Sequence, residues 1–421
     1  MIKEPQIRLF DLVISLSNAI DLVSSAVDRH HKRVAYIALS IGAELGLPME
    51  QQKELMLAGA LHDCGALSLK ERLDILQFEL ENPLKHAELG YLLLQKFDPL
   101  SNIALLVRYH HVPWNEGGGQ EFKGKQVPMG SHLLHLADRI DVLISKQKEI
   151  LGQVKGIVER IKEFSGKMSV PELVEAFVSL APKEYFWLGV VSPSIDSILS
   201  NRVKLATIDL SIEDLLSLTK LFSHIIDFRS RFTATHSSGV AASAEALARF
   251  AGFSERECKM MRIAGYLHDL GKLAVPTEIL EKPAKLTEEE FNVIRSHTFH
   301  TYRCLEPIGG LDLINTWASF HHERIDGTGY PFHHKGQDLS LGSRIMAVAD
   351  VFTAITEDRP YRKGMTRDRA LQLLRQMVEN TALDSHIVSL PGLHFDEINS
   401  LRVAAQDVSF EEYQRFLQPL G

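Results

Sequence analysis

The sequence predicts an all-α protein built as two tandem helical bundles. Three observations lead to this. Apolar residues recur at three- and four-residue spacing through most of the chain. No sustained period-two alternation of the strand type appears. The second half repeats the chemistry-bearing residues of the first in the same order. At 421 residues the chain exceeds one ordinary core and suits two domains of roughly 200 residues each.

The N-terminal run places Leu9, Leu12, Val13, Leu16, Ile20, Val23 and Val27 on one face, interrupted by Asp11, Ser15, Asn18 and Asp21. That is an amphipathic opening helix and not a signal peptide. Helical periodicity returns over 34–47, 54–62, 240–250, 258–268 and 368–378, with Gly46, Pro48, Gly252 and Ser254 marking turns. The glycine-rich stretches NEGGGQEFKG and DGTGYPFHHKGQ read as loops at matching places in the two halves. Residues 151–205, with MSVPELVEAFVSLA, complete the first module. Ile208 to Phe232 then opens the second as residues 7–27 open the first. The domains are expected at 1–202 and 203–421.

The repeat carries the chemistry. LMLAGALHDCGAL resembles MRIAGYLHDLGKL, so that His30, His62 and Asp63 map onto His236, His268 and Asp269 at an offset of 206. His86, His110 and His111 map onto His297, His321 and His322 at 211, and Asp138 onto Asp350 at 212. Chance matches would not keep that order, and the chain reads as an internal duplication.

Composition excludes several classes. Hydrophobic residues make up 45% and charged residues 24%, as in ordinary globular proteins. The net charge of −8 and the lack of a long basic stretch argue against a nucleic-acid polymer as partner. No apolar run approaches the ~20 residues needed to cross a bilayer. Three cysteines, Cys64, Cys258 and Cys304, form no CxxC pair, which fits a reducing cytoplasm and no disulfide framework.

In the second half, His236, His268, Asp269, His297, His321, His322 and Asp350 offer imidazole and carboxylate donors suited to Fe, Mn or Zn. A carboxylate next to a histidine can bridge two ions, and two ions about 3.5–4 Å apart suit in-line attack on a phosphodiester. Lys272 follows His268 by one helical turn on the same face, where it can stabilise phosphate charge.

HDLGK at 268–272 followed by HHERIDGTGYP at 321–331 resembles the HD-GYP family, a branch of the HD phosphohydrolases. The resemblance spans about 208–400 and includes RIMAVADVF and DRPYR within 344–362 and HFDE at 394–397. It implies a fold of HD-type helical bundles. It also implies hydrolysis of cyclic di-GMP, or of cyclic GMP-AMP, to a linear dinucleotide or mononucleotides. It implies metal ligands at His236, His268, Asp269, His297, His321, His322 and Asp350, with Asp269 and Lys272 catalytic. Lys272, Arg359 and Arg362 would face the substrate. Signalling partners through the GYP loop follow from the family too, and a homodimer stays open. Members with a third metal use a glutamate four residues before the first histidine. Phe232 stands there, so two ions, Fe or Mn, are expected. Thr353 replaces the usual Asp of ADxFD, and Arg229-Ser230 the usual RD.

The first half keeps His30, His62, Asp63, His86, His110, His111 and Asp138 as a second metal site. It has Ala66 for the lysine and WNEGGGQ for the GYP run. It is expected to be regulatory or a second metal site. His31, His132 and His135 are read as structural, and His300, His333, His334, His386 and His394 as surface or loop residues. The competing readings are a non-catalytic sensor of the nucleotide and a phosphohydrolase of another nucleotide.

Overall fold

The computed structural model describes residues 7–22, 29–66, 84–202, 210–229, 233–282, 284–358 and 362–418. The chain divides into two compact units, Arg8–Ile208 and Asp209–Gly421, with Ile7 grouped with the second. Both are helical. The strands among the described residues are Glu121–Phe122 and Lys125–Gln126, an antiparallel pair with Glu121 opposite Gln126. This hairpin falls inside the glycine-rich stretch read above as loop. Lys123 and Gly124 turn it with φ of 48° and 75°, the left-handed pair that suits a two-residue hairpin. Two residues per strand are too few for a periodicity to register. No helix among the described residues is long and apolar enough to cross a membrane.

In the first unit the opening helix is Leu9–Asp21, so Val23 and Val27 of its expected stripe lie outside the described residues. Helices His30–Glu44, Met49–Leu61, Leu84–Leu94, Asp98–Arg108 and Met129–Val142 follow. Pro171–Leu180, Glu184–Val190 and Ile195–Arg202 then pack on His30–Glu44. The buried rings of Phe177, Phe186 and Trp187 fill that contact, and the Trp187 indole donates to the Ala181 carbonyl at 2.8 Å.

The second unit repeats this plan with Ile212–Asp227, His236–Phe250, Glu255–Leu267, His297–Leu305, Asp312–Ser319 and Leu341–Thr356, and adds Arg367–Glu379 and Ser385–Leu417. Reciprocal capping boxes, Ser211 with Asp214 and Ser254 with Glu257, start two of these helices and satisfy amide groups that would otherwise lack partners.

Two glycines bring the histidines together. A Cβ on Gly265 would stand 2.4 Å from Ala241 Cα, so helices His236–Phe250 and Glu255–Leu267 cross backbone to backbone. His236 and His268 sit at adjoining ends of that crossing. Gly59 and Ala35 repeat the arrangement in the first unit, with 2.6 Å. A Cβ on Gly271 would stand 1.9 Å from the His297 carbonyl oxygen, and one on Gly65 2.2 Å from that of His86. No rotamer relieves a clash with backbone. Gly271→Ala is therefore expected to cost at least ~1–3 kcal/mol. Thermal denaturation should show this as a lowered Tm, with metal lost from the second unit in elemental analysis. An unchanged Tm with full metal content would contradict that packing.

Candidate metal centres

The histidines of the second unit and Asp269 stand at or near helix ends, and Asp350 stands nearly two turns inside a helix. His236 and His297 are the first residues of their helices, His268 caps the end of Glu255–Leu267, His321 and His322 follow Asp312–Ser319, and Asp350 projects from Leu341–Thr356. The structure brings all seven together. The groups His236–His268–Asp350, His268–Asp269–His321 and His297–His321–His322 each have donor atoms within 4.8 Å of one another. Asp269 is the centre, with Oδ2 3.2 Å from His268 Nε2 and Oδ1 3.4 Å from His297 Nε2.

The tautomers decide what the cluster can hold. Nδ1 of His268, His297 and His321 donates to the carbonyl three residues earlier, Gly265, Ile294 and Ala318, at 2.8, 2.6 and 2.6 Å. In the neutral ring this leaves Nε2 as a bare lone pair. Burial holds His321 well below the usual imidazole range and takes His297 down to about 3. Yet the Nε2 atoms of His297 and His321 face each other at 3.3 Å. Nε2 of His268 and Oδ1 of Asp269 are buried without a hydrogen-bond partner. Converging lone pairs and an orphaned carboxylate oxygen repel one another unless a cation lies among them. The donor set thus fits divalent metal.

Burial raises the Asp269 carboxyl, but His268 and Lys272 outweigh it and hold the group well below the usual carboxylate range. Burial lowers His236, but Glu357 and Asp350 push it up to about 10.

Sequence reasoning misplaced one geometry and missed three residues of the second unit and one of the first. Lys272 does not continue the α-helix of His268. The chain tightens into the 3-10 turn Leu270–Ala274, which swings the ammonium to 2.6 Å from Asp269 Oδ2. Glu357 went unnoticed. It accepts from His236 Nδ1 at 3.1 Å and is itself held by Gln406 Nε2 at 3.0 Å. In the first unit Asp141, three residues after Asp138, does this for His30 at 2.7 Å. Thr353 stands near that place in the second unit and bonds Ser243 instead, so the orienting carboxylate has moved one turn along the helix. The signal was a carboxylate at helical spacing after the last ligand, in either half. Glu323 also went unnoticed. Its buried carboxylate accepts from the amides of Phe332 and His334 at 2.7 and 3.1 Å, which ties down the Gly-Tyr-Pro loop. Tyr330 of that loop packs on His322, ring centroids 4.9 Å apart, and the guanidinium of Arg295, the third of these residues, lies 5.1 Å from the Tyr330 centroid.

The mouth of the cluster is at His322, whose side chain is 31% exposed, and at Lys272, 21% exposed. Arg362 is exposed and donates to the Ala354 carbonyl, one turn beyond Asp350. Arg359 lies outside the described residues, as does Phe232, on which the expectation of two ions rests.

The first unit forms a parallel cluster. His30–His62–Asp63 and Asp63–His86–His110–His111 each have donor atoms within 4.8 Å, with Asp63 shared. Nδ1 of His62 and His110 donates to the Gly59 and Val107 carbonyls at 2.8 and 2.6 Å. Asp138 Oδ1 stands 3.5 Å from His30 Nε2, while its Oδ2 is bound by Arg139 at 2.6 Å. His132 pins the loop through the Gly119 carbonyl at 3.1 Å, a structural role. His31 and His135, read as structural, lie against the cluster. Their rings are 5.2 Å from His62 and 5.7 Å from His111. His300, His333, His334, His386 and His394 belong to no such group among the described residues.

Two HD-type bundles, one with a lysine beside its central aspartate, define a metal-dependent phosphohydrolase. The chain matches the family described as "HD domain" over residues 27–143 and again over 220–387. It is 31% identical over 410 residues to the 3'3'-cGAMP-specific phosphodiesterase 1 of Vibrio cholerae, covering 95% of each chain. It is 42% identical over 166 residues, 39% of this chain and 38% of the other, to a cyclic di-GMP phosphodiesterase of Pseudomonas aeruginosa. The crystal structure of a cyclic GMP-AMP specific phosphodiesterase of V. cholerae shares the fold. Its TM-score is 0.64 at 24% identity, over 95% of this chain and 98% of that one. The chain belongs to the HD-GYP family of cyclic-dinucleotide phosphodiesterases.

Proposed function

We propose that the second unit hydrolyses 3'3'-cyclic GMP-AMP to a linear dinucleotide or mononucleotides. His236, His268, Asp269, His297, His321, His322 and Asp350 would hold two divalent ions, Fe or Mn. The observation that carries the metal reading is the pair of facing lone pairs on His297 and His321, 3.3 Å apart, with each ring's other nitrogen committed to backbone. Two ions held there would supply Lewis acidity toward the phosphate and a more acidic water. Asp269 reaches both groups of ligands. Lys272 presents its ammonium at the mouth, where charge builds on the phosphate oxygens. Arg295, with Tyr330 stacked beneath it, and Arg362 offer guanidinium groups for phosphate or base edges, and Arg359 belongs to the same reading. The first unit would bind metal without hydrolysing, since Ala66 stands where the lysine should.

The choice of nucleotide rests on coverage. The similarity to the 3'3'-cGAMP-specific enzyme extends through both units, whereas that to the cyclic di-GMP enzyme of P. aeruginosa covers 39% of the chain. The two substrates differ in one base, adenine for guanine, which exchanges the hydrogen-bonding groups at C6, N1 and C2; a site that pairs with one set can reject the other by up to ~10⁴–10⁵-fold, and pocket shape alone by roughly 10–200-fold. With the metal-loaded full chain, kcat/KM for 3'3'-cyclic GMP-AMP should exceed that for cyclic di-GMP by at least ~10-fold. Equal values, or a preference for cyclic di-GMP, would overturn the assignment.

A further inference from the structure

The cluster of the first unit has the donors of a metal site and, on the function proposed above, no part in hydrolysis. It differs from its counterpart most where that counterpart opens. In the second unit the openings are His322 and Lys272, with side chains 31% and 21% exposed. Their equivalents, His111 and Ala66, are buried. The covering groups can be named by register. At the offset of 212, His135 replaces Ala347 and Arg139 replaces Val351. His135 lies against His111, and Arg139 closes on Asp138. At 211, Leu84 replaces Arg295 and packs onto the small apolar core of Tyr109, Val112 and Val127. The cationic rim has become an apolar and self-paired lid. Beneath it, Nε2 of His30, His62 and His110 and Oδ1 of Asp63 and Asp138 are buried without a hydrogen-bond partner.

We propose that His30, His62, Asp63, His86, His110, His111 and Asp138 form a sealed divalent-metal centre whose task is to hold the first bundle together, not to catalyse. This rests on the reading that these residues ligate metal. Structural metal sites are closed by protein, whereas catalytic sites keep a position open to substrate. The donors come from five helices or the turns that end them, so ions there tie distant segments of the unit, and their binding energy becomes folding energy. His135 and Arg139 act as the plug.

The test uses the full chain, loaded anaerobically with Mn²⁺ and then exposed to excess EDTA, with bound metal followed by elemental analysis. Two pools of about two ions each are expected. The slow pool should persist at least ~10-fold longer than the fast one. The Asp269→Ala chain should lack the fast pool and keep the slow. His135→Ala should hasten loss of the slow pool without changing total metal. Thermal unfolding should show a lower Tm when the slow pool is stripped and little change when only the fast pool is. A single fast pool of about four ions would refute the seal while leaving metal binding intact. A wild-type chain whose metal all disappears in Asp269→Ala would refute metal binding by the first unit itself. A slow pool whose loss leaves Tm unchanged would refute the structural role.

Discussion

Asp269→Ala is expected to abolish cyclic-dinucleotide hydrolysis, by at least about 10³-fold in kcat. The expectation follows from position. Among the described residues Asp269 is the carboxylate within reach of both His268 and His297, at 3.2 and 3.4 Å, and its removal leaves imidazole lone pairs facing one another around a void. Asp63→Ala, the matching change in the first unit, should leave much of the activity, because Asp63 serves a cluster that lacks the lysine and the open mouth. Steady-state rates of the two full-length variants, each with its metal content measured, make the comparison. Should Asp63→Ala be as damaging while metal stays bound in the second unit, the division of labour between the units is wrong.

Lys272→Ala is the second large effect. The ammonium stands 2.6 Å from Asp269 Oδ2 and is partly open to solvent at the mouth. A donor that acts on phosphate charge, and not on metal retention, should cost roughly 10²–10³ in kcat when removed. Both ions of the second unit should remain, and so should the fold. The 3-10 turn that carries the lysine is fixed by backbone, including the bond from the Arg229 guanidinium to the Lys272 carbonyl at 2.9 Å, which the substitution does not touch. If metal content falls in step with activity, the lysine works by holding Asp269 in place, and its role on the phosphate is refuted.

Much of this was legible in the sequence because the chain contains its own comparison. His62-Asp63 and His268-Asp269 lie in the same register, and the other histidines follow at nearly constant offsets, so the clusters could be assembled before any coordinates. Helical periodicity located four of the helices that carry them, those of His30, His62, His236 and His268. What escaped notice was the layer behind the ligands. Glu357 lies seven residues beyond Asp350, and its partner His236 lies 121 residues away, so only the crossing of helices brings them together. Asp141 lies three residues beyond Asp138 but 111 residues from His30, which it holds at 2.7 Å. The turn after His268 also escaped, because nothing in the spacing of HDLGK distinguishes an α turn from a 3-10 turn. The lid of the first unit was invisible for a different reason. His135 and Arg139 gain meaning only when the exposure of the two clusters is compared side by side.

The central claim, that the second unit is a metal-dependent cyclic-dinucleotide phosphodiesterase, meets its most direct test in product analysis. The full chain is loaded anaerobically with Fe²⁺ or Mn²⁺, its metal content is confirmed, and it is incubated with 3'3'-cyclic GMP-AMP. Chromatography with mass detection should show a linear dinucleotide or mononucleotides, formed by the wild-type chain and absent with Asp269→Ala. Intact cyclic dinucleotide after prolonged incubation with the fully loaded wild-type chain would contradict the account.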